Sequence, residues 1–148
     1  MLTVGVNTYI TVDEANQILS PERDYNRWTT LTNTEKESYL VMATRNIDGM
    51  HYTGRKAAPE QTLSFPRQYQ PEVPANIKLA QALQALYLSN TPIYMRKQLQ
   101  SQGVTSIALG KASESYGNTS SNNSASGILC HDALCLLRPY LLGSVAIV

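Results

Sequence analysis

The chain predicts a mainly α-helical fold: a small helical bundle with a short β-hairpin near the C-terminal third and a C-terminal docking helix. Three observations predict it. A helix-start signal occurs twice in the first 35 residues, a proline leads a long apolar run at residue 74, and the apolar spacing changes character after Gly103.

The first helix opens at Thr11-Val12-Asp13-Glu14. The Thr11 hydroxyl is placed to accept from the free N–H groups of the first turn while Glu14 reaches back to the cap residue, and both acids suit the positive end of the helix dipole. Ala15, Ile18 and Leu19 form its apolar face, and Ser20-Pro21 ends it. A loop or short helix carrying Tyr25 and Trp28 follows, with Trp28 expected to pin the connection between the first two main helices. Thr32-Asn33-Thr34-Glu35 repeats the capping device. The second main helix then places Leu40, Ala43, Ile47 and Met50 on one face, with Arg45 and Asp48 spaced to pair outside.

Between Tyr52 and Val73 the periodicity breaks into a loop with Pro59, Pro66 and Pro71. Pro74 suits the first turn of a helix, where a missing N–H costs nothing. From Ala75 to Asn90, Ile77, Leu79, Ala80, Ala82, Leu83, Ala85, Leu86, Tyr87 and Leu88 surround most of the circumference, which predicts the central, buried helix. A further turn or short helix is expected from Pro92 through Met95, Leu99 and Gln102, stopped by Gly103. Val104 to Leu109 and Ala112 to Tyr116 read as two strands joined at Gly110-Lys111. The Ser/Asn-rich stretch of residues 117–127 reads as a flexible loop. Leu134 and Leu137 then share the face of a short helix closed by Pro139, and Leu141, Leu142, Val145, Ile147 and Val148 make an apolar end. The division is therefore 1–103 helical bundle, 104–116 hairpin, 117–127 loop and 128–148 C-terminal helix and tail, all one domain.

A hydrophobic fraction of 43% against 16% charged residues is a globular balance rather than a disordered one. The net charge of +1 gives no global attraction to nucleic acid or membrane, but its distribution is uneven. Residues 1–50 carry net −3, residues 51–111 net +5 and residues 112–148 net −1, a dipolar pattern that suits head-to-tail contact between copies. No segment reaches the roughly 18–20 apolar residues that cross a bilayer, and no secretion signal opens the chain, so a cytosolic protein with free thiols is expected.

The search for chemistry predicts no enzyme and no cofactor. The glycines at 49, 54, 103, 110 and 117 are isolated, which rules out a phosphate-cradling loop, and His51 and His131 are the two histidines available for acid–base work. Cys130, His131 and Cys135 give C-H-x3-C. Residues five apart on a helix lie about 140° apart, so the thiols diverge, and a structural zinc wants about four ligands. A nucleic-acid surface is the other candidate, with Arg55, Lys56, Arg67, Lys78, Arg96, Lys97 and Lys111 interleaved by Tyr52, Phe65, Tyr69 and Tyr94. The same aromatics also suit loop anchors packed against the helices.

Several motifs occur in a particular order: Tyr9-Ile10-Thr11-Val12-Asp13-Glu14-Ala15, Arg27-Trp28, Glu35-Lys36-Glu37 and Ala43-Thr44-Arg45-Asn46-Ile47-Asp48. After them come Tyr52-Thr53-Gly54-Arg55-Lys56, Gln61-Thr62-Leu63-Ser64-Phe65-Pro66-Arg67 and Val73-Pro74-Ala75-Asn76-Ile77-Lys78. With the closing Ala133 to Leu141, they resemble the family of tailed-phage head–tail connector or head-completion adaptors, also labelled DnaT-like single-stranded-DNA-binding. The resemblance covers nearly the whole chain. Phe65 stands where that family commonly has Trp, and the Ser/Asn loop is longer than typical.

The resemblance implies a non-enzymatic helical adaptor in the virion neck, made in the host bacterial cytoplasm. It would form a ring of about twelve copies under the portal protein, dock the next tail or stopper protein and pass genomic DNA through its lumen without sequence-specific binding. It also implies a portal or neighbour interface at Leu134, Leu137, Arg138, Tyr140 and Leu141. Arg55, Lys56 and Arg67 would form a basic loop facing a neighbour, the tail side or the DNA channel. The alternative is a single-stranded-DNA-binding accessory protein.

Overall fold

The computed structural model describes residues 1–90, 106–109, 112–115 and 129–142. Both predicted capping boxes form. Helix α1 (Val12–Leu19) is capped by Thr11, whose hydroxyl accepts from the Glu14 N–H at 3.2 Å while Glu14 accepts the Thr11 N–H at 2.7 Å. Helix α2 (Tyr25–Thr29) is a five-residue connector. Helix α3 (Asn33–Asp48) starts on the Thr32–Glu35 pair, with reciprocal bonds of 3.2 and 2.8 Å. Each box satisfies two of the backbone donors that the first turn of a helix leaves without partners.

Trp28 is wholly buried, and its Nε1–H donates to Asn16 Oδ1 at 2.8 Å. The Lys36 ammonium lies 5.7 Å from the ring centroid and donates to the same Asn16 oxygen at 3.3 Å. The tryptophan thus joins α1, α2 and α3, as its position between them suggested.

Helix α4 (Ala75–Ser89) is the centre of the molecule and packs on α1, α2, α3 and the C-terminal helix α5 (His131–Leu137). Its small side chains, Ala80, Ala82 and Ala85, are fully buried and let neighbouring helices approach closely. The faces of α4 that turn inward leave their polar residues without water. Gln81 and Gln84, both wholly buried, use their amides as clamps. Gln81 Nε2 donates to Thr8 Oγ1 at 2.7 Å and to the Leu40 carbonyl at 3.2 Å, while its Oε1 accepts the Tyr9 N–H at 3.0 Å. Gln84 Oε1 accepts the Cys130 N–H at 2.8 Å. The segments before α1 and before α5 are thereby tied to one helix. Helical periodicity marks only the apolar residues of α4 as core, so neither amide shows in it.

The antiparallel pair β1 (Ser106–Leu109) and β2 (Ala112–Ser115) aligns Ser106 with Ser115 and Leu109 with Ala112. The expected helix through Met95 and Leu99, the Gly110-Lys111 turn, the 117–127 loop and the tail from residue 143 lie outside the described residues.

Helix α5 passes into a 3-10 turn at Arg138–Tyr140, consistent with Pro139 stopping it. The chain then pairs with its own loop: Thr53 N–H donates to the Tyr140 carbonyl at 2.9 Å, and Leu142 N–H donates to the His51 carbonyl at 2.8 Å. Through residue 142, therefore, the C-terminal segment folds back on its own core. Leu142 itself stays 67% exposed.

Replacing Gln81 with Ala leaves the Tyr9 N–H and the Thr8 hydroxyl buried without their amide partner. The expected loss is about 2–4 kcal/mol, read from the urea midpoint at unchanged m-value. A loss under about 0.5 kcal/mol would show that the clamp is dispensable.

Candidate nucleic-acid interface

The loop between α3 and α4 is built on an aromatic footing. Phe65 is buried and meets three tyrosines edge-on: Tyr52 at 4.7 Å, Tyr140 at 5.6 Å and Tyr9 at 6.2 Å between centroids. The Phe65–Pro66 peptide bond is cis. The two buried phenols, Tyr52 and Tyr9, each have a polar outlet, which buried tyrosines require. Tyr52 Oη donates to the Ile47 carbonyl at 2.6 Å, and Tyr9 Oη donates to Asp48 Oδ1 while accepting the Phe65 N–H at 3.3 Å.

Asp48 therefore turns inward to Tyr9, where the spacing with Arg45 had suggested an outside ion pair. Burial raises the Asp48 carboxyl above its ordinary value of 3.8, against hydrogen bonds from Tyr9 and Ser64 and the Lys56 charge, which all favour ionisation. Burial, with the Asp48 charge second, pushes both the Tyr9 and Tyr52 phenols upward.

Above this footing stands an arch closed by Arg67. Its guanidinium donates to four backbone carbonyls: Thr53 at 3.1 Å, Ser64 at 3.1 Å, Tyr52 at 3.3 Å and Gly54 at 2.7 Å. The rigid fork of arginine suits this convergent set, which a lysine could not span. Gly54 supplies a positive φ of 78° where the chain turns beneath the guanidinium. Lys56 bridges to Arg67 in antiparallel fashion, with Ala57 N–H donating to the Pro66 carbonyl at 3.0 Å and Gln68 N–H to the Arg55 carbonyl at 2.9 Å. The Gln61 amide fills the interior, donating to the Leu63 and Pro66 carbonyls at 2.8 and 3.0 Å and accepting the Ala58 N–H at 3.1 Å.

The cations and aromatics singled out from sequence thus separate into two groups. Arg67, Tyr52 and Phe65 belong to the scaffold: the arginine's donors face carbonyls and both rings are buried. Arg55 and Lys56 are exposed, and Tyr69 is 88% exposed. Lys78 is half-buried on the first turn of α4, and Tyr94, Arg96, Lys97 and Lys111 lie outside the described residues.

The expected partner-facing set also divides. Leu137 is wholly buried in the chain's own core, which corrects its assignment to an interface: α5 turns that face toward α4. Tyr140 is half-buried against Phe65, Leu141 bridges to Tyr52, and Leu134 is half-buried against the core. Arg138 is exposed.

Cys130 precedes α5, with its thiol pushed up by burial, while Cys135 Sγ lies 3.5 Å from His131 Nε2 on the helix surface. Only two of the three C-H-x3-C residues meet, and no group of three metal-ligating side chains occurs among the described residues.

The Tyr9–Asp48 contact, the two glutamine clamps and the arginine staple were missed from sequence. The first three join residues far apart in the chain, and the staple binds the carbonyls of its own irregular loop, so none leaves a periodic trace.

Fold and surface together define a small helical domain that presents a braced loop with exposed cations and one exposed aromatic ring. Residues 2–147 match the family described as "Putative DnaT-like ssDNA binding protein", and the chain belongs to that family. No curated protein and no solved structure matches it.

Substituting Arg67 with Ala removes a charged donor from four carbonyls. It should cost about 2 kcal/mol and speed amide exchange across residues 53–70 while α1 stays protected. Unchanged exchange in the arch would contradict the staple.

A second expectation concerns acid. Because the folded Asp48 carboxyl titrates above its unfolded value, its contribution to stability is complete below pH 3.8 and is lost as pH rises through the folded pKa. The D48N variant should lack that decline, seen as a flatter stability–pH curve than wild type from pH 3.8 upward. Parallel curves would refute the assignment.

Proposed function

We propose that this protein is a non-catalytic single-stranded-DNA-binding protein. The family match over residues 2–147, with its description, carries the reading. The surface adds physical support, since exposed cations and an exposed aromatic ring occur on one braced loop. Backbone charge attracts the cations, and any base offers a face to a ring, so such a surface binds without reading sequence.

A labelled oligonucleotide titrated with the protein at rising salt tests this. Binding should weaken so that log K falls linearly with log salt, by about 0.7 for each phosphate neutralised. No binding at low salt would remove the reading.

A second reading has its own support. Along α4, about 22 Å long at roughly 1.5 Å per residue, the two ends of the domain differ in charge. The arch with Arg55 and Lys56 adjoins the N-terminal end, although it also carries Glu60 and Glu72. A groove lined by Glu22, Asp24 and Asp132, with Arg27 among them, adjoins the C-terminal end. Such polarity suits heterologous contact between copies, which closes into a ring when the rotation allows. With the ordered motifs along the whole chain, it supports the role of a structural head–tail adaptor in a tailed-phage neck. That role would have neighbouring copies, a portal protein and the next tail or stopper protein as partners. Light scattering of the protein alone and with portal rings tests it. A strict monomer that leaves portal rings undecorated would end this reading.

A further inference from the structure

We propose that the arch is the strand-contact site, with the Tyr69 ring stacking on a base and Arg55 and Lys56 taking the adjoining phosphates. This rests on the single-stranded-DNA reading and assigns it to particular residues.

The first argument is the position of Tyr69. Tyr9, Tyr52, Phe65 and Tyr140 pack together beneath the arch, whereas Tyr69 stands 88% exposed. It sits near the tip of a turn: Gln70 N–H donates to the Arg67 carbonyl at 2.9 Å, and Arg67 N–H donates to Gln70 Oε1 at 2.9 Å. The residue before it, Gln68, is hydrogen-bonded to the Arg55 carbonyl at 2.9 Å. The backbone on both sides of the ring is therefore fixed, so stacking costs little ordering of the loop.

The second argument is where the charges lie. Arg55 stands opposite Gln68, one residue from Tyr69, and Lys56 stands opposite Arg67. Both cationic side chains are exposed. Lys56 Nζ donates one hydrogen bond, to the Gln61 carbonyl at 3.2 Å, leaving donors for a phosphate. Arg67 keeps its donors on carbonyls, but its charge is fixed at the base of the arch and adds to the local positive potential. Glu60 and Glu72, exposed on the same loop, and Asp48, on which the Lys56 charge also acts, oppose it. The balance describes a short contact of one base and its flanking phosphates, dependent on salt.

The third argument selects single strands. A ring projecting from a turn tip can stack only on a base free of its neighbour, and bases in a duplex are already stacked.

The test uses the full chain and a labelled oligo-dT at low salt, measuring anisotropy for wild type, Tyr69→Ala, Tyr69→Phe and the Arg55→Ala/Lys56→Ala double variant. Arg23→Ala, an exposed cation beside α2, controls for loss of charge alone. All the altered side chains are exposed, and circular dichroism with thermal melts checks that each variant folds.

Tyr69→Ala should weaken binding about 5- to 100-fold with the salt slope unchanged, and Tyr69→Phe should stay within about 2-fold of wild type. The double variant should lower the slope by about 1.4 for two phosphates released, and Arg23→Ala should leave it unchanged. Unlabelled duplex should compete less well than unlabelled single strand.

Wild-type binding that survives in both Tyr69→Ala and the double variant would overturn the assignment while leaving the DNA reading intact. Arch variants that alter sedimentation but not DNA binding would overturn it in favour of a contact between copies. Absence of wild-type binding at low salt would remove the DNA reading itself, and the assignment with it.

Discussion

The side-chain amide of Gln81 is the contact on which the other parts of the molecule depend. A helix buried along most of its surface gains hydrophobic stabilisation and leaves its inward-facing polar residues without water. Gln81 meets that constraint by accepting the Tyr9 N–H, which would otherwise be buried unpaired at a cost of about 1–3 kcal/mol, and by adding bonds to the Thr8 hydroxyl and the Leu40 carbonyl. Domain stabilities are only about 5–15 kcal/mol, so one such amide is a sizeable share. Its bond to the Tyr9 N–H sets the Tyr9 ring in place, the Tyr9 hydroxyl accepts the Phe65 N–H, and Phe65 carries the arch. The exposed surface is linked to the centre of α4 by this sequence of contacts.

The loop from Tyr52 to Val73 shows how one residue type takes opposite roles within a few positions. Arg55 and Arg67 carry the same guanidinium. One has exposure, and the other has four converging carbonyls. Tyr52 and Tyr69 are divided in the same way, one set against Phe65 and the other left in water. Composition brought all four under a single heading. The partner geometry, decided by Gly54 and the Lys56–Arg67 bridge, separates scaffold from surface.

The helices were readable because their signals are local. Thr11 with Glu14, Thr32 with Glu35, and the apolar steps from Leu40 to Ile47 each need only the next turn of chain to act, and α1 and α3 follow them. The apolar circumference of α4 likewise announced a central helix. Periodicity counts apolar faces and passes over amides, so Gln81 and Gln84 escaped notice although both are wholly buried. Asp48 was read outward to Arg45 because helix spacing reports neighbours on the same helix, whereas Tyr9, 39 residues away, holds it. The C-terminal leucines were read as docking residues because an apolar segment does not say whose core it enters. Leu137 enters its own.

The long span between Thr8 and Gln81 also bears on how the protein is made. Ribosomes release the N-terminal end first, at about 5–20 residues per second. Tyr9 and Ile10 thus leave the tunnel several seconds before Gln81, the residue that accepts the Tyr9 amide, has been added. During that interval α1 and α3 have each other and Trp28 to pack against but no central helix behind them. Closure of the first half of the chain is consequently timed by the arrival of α4. A nascent chain arrested before residue 81 would be a ready client for chaperones that hold exposed apolar segments.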